Sequence, residues 1–294
     1  MNSGSLLIAV GFAVSELFLL LGLLRFRHWS ANRGNKLPLT KRYLRPPGET
    51  LRLELEKLDE SISDTLLWIV VSSVVLGFGV YALLTDSAIL GVIFIGLALA
   101  AMIYLALRFE KEATLRRDHY LGFLGERVVG EELNQLMSNG WSVFHDVRFD
   151  DNPAAKPFNV DHVVCRTGWP FAIETKTRHK RKESGGHEVT LNGQTLEYPW
   201  GSEDWGVTQA QQRAHHLSQW LTKRLQTDIT VAPVLVLTGW YVHRTGKSDL
   251  TVINEGEVPS LFHGEHKAGR LRPETVAAIC ALFDERCRNV GAYA

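Results

Sequence analysis

The chain has 294 residues, with 32 lysines and arginines balanced by 32 aspartates and glutamates, and three cysteines. That length holds one sizeable domain plus further elements, and a formal charge of zero excludes any chain-wide polyelectrolyte attraction to nucleic acid. Cys165, Cys280 and Cys287 are too few and too badly spaced for a zinc site or a disulfide framework, so a reducing compartment is the simplest reading.

The first third is largely apolar. Three runs, at about residues 5–24, 66–84 and 88–107, approach the roughly 20 residues that a helix needs to cross a bilayer core. The second and third are separated only by Thr85, Asp86 and Ser87, which predicts a tight antiparallel hairpin. Apolar helices can also be buried in a large soluble protein, but the remainder of this chain is too small to bury three. Lys and Arg cluster after the first run (Arg25, Arg27, Arg33, Lys36, Lys41, Arg42, Arg45) and after the third (Arg108, Lys111, Arg116, Arg117). Lysine and arginine accumulate on the cytoplasmic side. The expected topology is therefore a multi-pass protein of the cell's inner (plasma) membrane, with its amino terminus outside and its C-terminal domain cytoplasmic. The first run lacks a basic leader and a small-residue cleavage site, which favours an anchor over a removable signal peptide. Glu16 lies near its middle, where a charge is costly. A protonated glutamate hydrogen-bonded to Ser15, Ser72 or Ser73 explains it more simply than an ion-coupled site.

Between the first two runs, Pro38, Pro46 and Pro47 mark an irregular linker. Leu51, Leu55, Leu58 and Ile62 then recur at helical spacing among charges, predicting an amphipathic helix that lies on the membrane or docks on the C-terminal domain. Residues 1–107 thus read as a membrane region, with residues 25–65 as its cytoplasmic linker and amphipathic helix. Residues 108–294 read as the cytoplasmic domain.

In that domain the third span is expected to continue as a polar helix to about Arg117, followed by a helix over Glu126–Met137. Strands are expected at Trp141–Arg148, Val160–Cys165 and Trp169–Thr175. Asn192-Gly193, between Glu188–Leu191 and Gln194–Tyr198, signals a two-residue hairpin. A helix over Thr208–Leu225, strands at Val231–Leu237 and Leu250–Ile253, and a C-terminal helix from Pro273 complete the pattern. Cys280 and Cys287, seven apart on that helix, read as two small buried groups. This succession predicts an α/β fold, a mixed sheet flanked by helices.

One stretch carries chemistry. Asp161 opens an apolar strand, while Glu174 and Lys176 lie two apart on the next, where i and i+2 share a face. A hairpin-like pairing would bring Asp161 beside them. Two carboxylates and a lysine at a sheet edge suit a divalent ion that activates water against a phosphodiester. An E-x-K pair alone is more often a solvated surface pair, and Asp161 alone could end a turn.

Four pieces in order sharpen the reading: Gly122-Phe-Leu-Gly-Glu126-Arg-Val-Val-Gly-Glu-Glu-Leu133, Asn159-Val-Asp161-His162-Val-Val, Ile173-Glu174-Thr-Lys176-Thr and Gly206-Val-Thr-Gln209. With them the region from about Gly122 to Phe262 resembles the nuclease-related domain (NERD) family, a branch of the PD-(D/E)xK nuclease superfamily. The family usually shows Pro-x-x-Gln in the fourth piece; here Gly206 takes the proline's place.

The resemblance implies a restriction-endonuclease-like sheet and a magnesium-dependent nuclease, with manganese as an alternative ion. It implies Asp161, Glu174 and the Thr175 main-chain carbonyl as metal ligands, with Glu126 aiding directly or through water. Lys176 would orient the attacking water or neutralise the phosphate, and Gln209 would touch the active site or the scissile strand. The basic run Arg178, Lys180, Arg181 and Lys182, with His179 within it, is placed to hold a nucleic-acid backbone; a solvated loop explains it equally well.

His162 is as suited to packing as to catalysis. Trp200 and Trp205 flank Glu203-Asp204, where loop packing is the plainer role and base stacking the sharper one. His215-His216 has no second ligand pair, so zinc is not expected. The expected partners are nucleic acid, DNA in the first place, a lipid bilayer, and a second copy of the chain if paired cuts are made. Two other classes stay open: a non-catalytic, membrane-tethered nucleic-acid-binding scaffold, and a channel or transporter resting on Glu16 alone.

Overall fold

The computed structural model describes residues 43–85, 87–149, 158–166, 170–180, 186–245, 248–263 and 271–288, together with Gly22 and Arg25. The run at 5–24 with Glu16, most of the linker, Arg181 and Lys182 lie outside the described residues. The chain divides into two compact units, one holding Leu55–Arg117 and the other Arg42–Glu54 with Asp118–Val290. Two long helices, α1 (Glu49–Leu83) and α2 (Ala88–Gln135), contribute to both.

In the first unit, α1 and α2 are long and apolar enough to cross a membrane. Only 11% and 17% of their most apolar windows are buried, unlike the core helices of a soluble protein. Leu66, Trp68, Phe78, Ile89, Val92, Leu97, Ile103 and Leu107 all stand exposed. Small residues let the two helices approach: a Cβ on Gly91 would lie 2.5 Å from the Leu83 main-chain nitrogen, and one on Gly79 2.9 Å from Ile95. Beyond the apolar stretch, Glu112 accepts hydrogen bonds from Ser61 (2.7 Å), Thr65 (3.0 Å) and Arg108 (2.8 Å), a polar knot that fixes the register of the pair.

The second unit is mixed α/β. Its main sheet runs in the order β1 (Ser142–Phe149), β2 (Phe158–Cys165), β3 (Phe171–Thr177), β7 (Ala232–Thr238), β9 (Thr251–Ile253). The first three strands pair antiparallel and the last three parallel. A second sheet runs β6 (Gly201–Glu203), β5 (Thr195–Tyr198), β4 (Glu188–Asn192), β8 (Tyr241–Thr245). Helix α3 (Trp205–Leu225) precedes β7, while α4 (Val258–His263) and α5 (Pro273–Arg286) close the chain.

Strand alternation distributes the core. Phe171 and Ile173 of β3, with Val234 and Val236 of β7, meet Val129 and Leu133 of α2, Leu136 just past its end, and Phe262 of α4. On the other face Phe144, Val163, Cys165 and Ala172 meet Leu217 and Leu221 of α3 and Ile279 and Phe283 of α5. Leu235 and Leu237 join Val207, Ala210, Leu196 and Trp240 in a third cluster that ties the small sheet to α3.

Several sequence expectations require correction. The helix at 88–107 and the helix at Glu126–Met137 are one element, because Gly122 and Gly125 stay helical where close neighbours occupy the place of a side chain. The amphipathic stretch from Leu51 to Ile62 is likewise the start of α1 rather than a separate helix. The hairpin turn is Gly193-Gln194, one residue later than expected. Gly193 takes the positive φ (+63°), while Asn192 pairs with Thr195 and donates its side-chain amide to Glu197 (3.3 Å). The second sheet was not foreseen as a sheet. β6 is three residues long, and β8 is mostly exposed, so neither carries an apolar alternation.

The segment before α1 belongs to this unit. Asp146, fully buried within β1, takes a left-handed φ of +48° and accepts from Arg45 Nε (2.9 Å) and a second Arg45 nitrogen. Thr50 adds its main-chain N–H (2.8 Å) and hydroxyl (2.7 Å), and Asn159 its side-chain amide (3.2 Å). Arg45 N–H also donates to the Cys287 carbonyl (2.7 Å). Pro47 sits where a Cβ on Gly130 would fall, at 2.3 Å. Residues 43–50 are therefore a strap on the α/β unit, held by a desolvated ion pair. Removing one member of such a pair strands the other charge. Arg45→Ala is expected to lower unfolding free energy by about 3–5 kcal/mol, whereas Arg127→Ala, which breaks the exposed pair with Glu131, costs below about 1 kcal/mol. Urea unfolding of the detergent-solubilised protein measures both.

Candidate active site

The pairing of β2 with β3 sets His162 opposite Ile173, and one further step of that register sets Asp161 opposite Glu174. Antiparallel partners share a face, so the two carboxylates project together, and alternation puts Lys176 with them. Asp161 Oδ2 accepts the main-chain N–H of Thr175 at 2.8 Å, and Lys176 Nζ donates to Glu174 Oε1 at 2.8 Å. Asp161, Glu174 and Thr175 are buried; Lys176 is nearly so.

The helices complete the surroundings. Gly125, just before Glu126, meets the end of β3: a Cβ there would lie 1.9 Å from Thr177 Oγ1. The glycine of the first motif thus permits α2 to rest on the strand carrying Glu174 and Lys176, and Glu126 is buried beside it. From α3, Gly206 faces the stem of Lys176, where a Cβ would stand 3.5 Å from Cγ. Gln209 follows one turn later, half-buried.

Burial, and then the charges of Asp161, Asp146 and Glu174, raise the Glu126 carboxyl well above its ordinary range. Burial and then Glu174 push Asp161 up to about 8, against the opposing pull of Lys176 and the Thr175 N–H. Glu126 is therefore within electrostatic reach of both strand carboxylates. Among the described residues, however, no three His, Cys, Asp or Glu side chains already converge as a metal cage. The reason is visible in the hydrogen bonds: Asp161 is turned to Thr175 and Glu174 to Lys176. Glu174 Oε2 and Gln209 Oε1 are buried without a hydrogen-bond partner. An orphaned carboxylate oxygen beside two carboxyls whose pKa burial raises fits a hard cation held by oxygen and water.

The remaining sequence-predicted residues fall in different places. Arg178 pairs with Glu203 (2.9 and 3.4 Å), so its charge is partly engaged. Lys180 lies 5.8 Å from the Trp240 ring centroid. His162 is fully buried, sharing an Nδ1–Nδ1 hydrogen bond of 2.8 Å with His145, whose Nε2 meets Asn134 at 3.0 Å. Burial holds His145 down at about 4 and His162 well below its usual range, so this pair is neutral packing structure. His215 contacts Gln219 and stays exposed. Trp200 stacks on Tyr198 (5.0 Å, 11°), whereas Trp205 is exposed with Lys176 Nζ 4.5 Å from its ring. Sequence reasoning missed Asp146 and Arg45, because an aspartate inside an apolar strand and an arginine in a proline-rich linker carry no recognisable spacing.

The site is thus two carboxylates and a lysine gathered on one sheet face of a mixed α/β unit, with a buried helix glutamate nearby. Residues 121–238 match the family model described as the nuclease-related domain. No curated protein and no solved structure matched the chain.

The raised Asp161 value fixes a sign. The folded state binds the proton that the unfolded chain has released, so this contribution to stability is complete below about 4, the ordinary value, and is lost as pH rises towards about 8. Thermal unfolding in EDTA is expected to show a midpoint that falls between pH 5 and pH 8. Asp161→Asn should flatten that slope and raise the midpoint at pH 8.

Proposed function

We propose that this protein is a membrane-anchored, magnesium-dependent nuclease that hydrolyses phosphodiester bonds in DNA, built on the restriction-endonuclease-like fold of the PD-(D/E)xK superfamily. The observation that carries the reading is the placement of Asp161, Glu174 and Lys176 on one face, within a nuclease-related domain.

Asp161, Glu174 and the Thr175 carbonyl are the proposed ligands, with Glu126 assisting directly or through water. Bound magnesium, or manganese in its place, would supply Lewis-acid charge to the phosphate and lower the pKa of water. The chain's own residues do the rest. Lys176, a compact cation, orients the attacking water or offsets the charge gathering on the phosphate. Its present bond to Glu174 keeps Nζ within one side chain's reach of that carboxylate. Gln209 holds the scissile strand through its amide, and Arg178 and Lys180 follow the backbone away from the cut, with Arg181 and Lys182 beyond them.

The membrane part of the proposal is an odd number of spans, with α1 and α2 preceded by the run at 5–24. The basic clusters then fall on the cytoplasmic side with the nuclease-related domain, in the inner (plasma) membrane. Confinement to a plane favours pairing of two copies.

The test is cleavage of plasmid and linear DNA by the detergent-solubilised protein in magnesium, manganese or EDTA. Cutting in either metal, none in EDTA, and at least a hundredfold loss in Glu174→Ala and Lys176→Ala are expected. DNA retained by the protein with no cutting in any condition would instead support the tethered, non-catalytic binding module.

A further inference from the structure

Among the described residues, Trp205 is the exposed aromatic residue nearest the proposed chemistry. Of the four other tryptophans and tyrosines around the small sheet, Tyr241 is 55% exposed against His243, and three are spent on packing. Trp240 is 2% exposed, Tyr198 is buried between Trp200 and Trp240, and Trp200 stacks on Tyr198. Trp205, at the start of α3, remains 56% exposed. Large exposed indoles are uncommon on folded surfaces and mark binding positions.

Its position is fixed from below. Lys176 Nζ stands 4.5 Å from the ring centroid and donates at 2.8 Å to Glu174, so the indole is one side chain removed from the proposed scissile position. The Arg178 guanidinium carbon lies 6.0 Å from the same ring and is braced by Glu203. Next to Trp205, Gly206 is buried against Lys176, and Val207 is fixed in the core, so the indole rests on a rigid mount. A cation holds the ring in place while more than half of the residue stays open. That combination suits an aromatic base, which stacks on an indole whatever its sequence and is joined to phosphates that the neighbouring cations attract.

We propose that Trp205 is a base-stacking platform that receives an unpaired nucleotide next to the scissile phosphate, and that the preferred substrate is therefore single-stranded DNA or a duplex with a frayed or overhanging end. A base inside an intact duplex has both faces occupied by its neighbours, so only an unstacked base can use the platform. This inference rests on the nuclease reading of the same site and adds its substrate class.

The test uses the full-length protein in detergent with calcium in place of magnesium. Fluorescein-labelled oligonucleotides are bound as a single strand, as a blunt duplex and as a duplex with a single-stranded overhang. Trp205→Ala is expected to weaken single-strand and overhang binding about tenfold and blunt-duplex binding less than twofold. Trp205→Phe should recover most of the loss, because it keeps a stacking face. An unchanged unfolding midpoint in both variants confirms that the fold is kept. Equal losses on all three substrates would overturn the proposal, since they indicate support of Lys176 or of the local backbone. No loss on any substrate that the wild type binds would also overturn it while leaving the nuclease reading intact. A wild type that binds none of the three would remove the nuclease reading and this inference together.

Discussion

The second unit is organised around buried negative charge. Asp161, Glu174 and Glu126 are withdrawn from water in one place, and Asp146 adds a fourth carboxyl close enough to be felt by two of them. Two like charges at contact distance repel by about 4 kcal/mol at an effective dielectric of 20, a large share of the roughly 5–15 kcal/mol that holds a domain folded. The fold meets this load in three ways. Arg45 and Thr50 neutralise and hydrogen-bond Asp146, Lys176 pairs with Glu174, and the Thr175 N–H serves Asp161. Burial first, and then the repulsion that remains, raises the pKa of Glu126 and Asp161. A group of acids that the protein cannot fully offset is poised for an added cation, which is the physical basis for the metal-dependent reading.

The same requirement explains why the unit extends outside the stretch that matches the family. Arg45 and Thr50 lie more than seventy residues before the matched segment begins, yet they turn four donor groups on Asp146. Pro47 on Gly130 and Gly48 against Phe123 fasten the strap to α2 itself. A stretch that reads as linker in the sequence is thus a structural part of the α/β unit. Its residues also open α1, an apolar helix of membrane-spanning length.

Much of the site was legible before the structure. The i, i+2 spacing of Glu174 and Lys176 dictates a shared face, and the register of β2 on β3 supplies the partner Asp161. Long apolar runs and the Val- and Leu-rich strands were equally plain, because burial writes a periodic pattern. What escaped were features that write none. The close approach of Gly125 to Thr177 carried no sequence signal of its own and came only with the packing of α2 on β3. β6 and β8 are short, exposed edge strands whose place is set by pairing. The turn slipped by one residue because the positive φ went to Gly193 and Asn192 kept a ladder position. Asp146 resembles any polar residue in a strand until its left-handed backbone and Arg45 are seen together. Trp200 and Trp205 look alike in sequence, and only exposure separates a packed ring from an open one.

On the proposed reading, Asp161 and Glu174 form a cation site within the stretch that matches the nuclease-related domain. Direct titration of the solubilised protein with manganese, read by the disappearance of the free-ion paramagnetic resonance signal, tests it without requiring turnover. Saturable binding is expected at neutral pH, lost in Glu174→Gln and Asp161→Asn, while both variants keep the wild-type far-ultraviolet circular dichroism. Manganese bound equally by wild type and both variants, or by none of them, would contradict it.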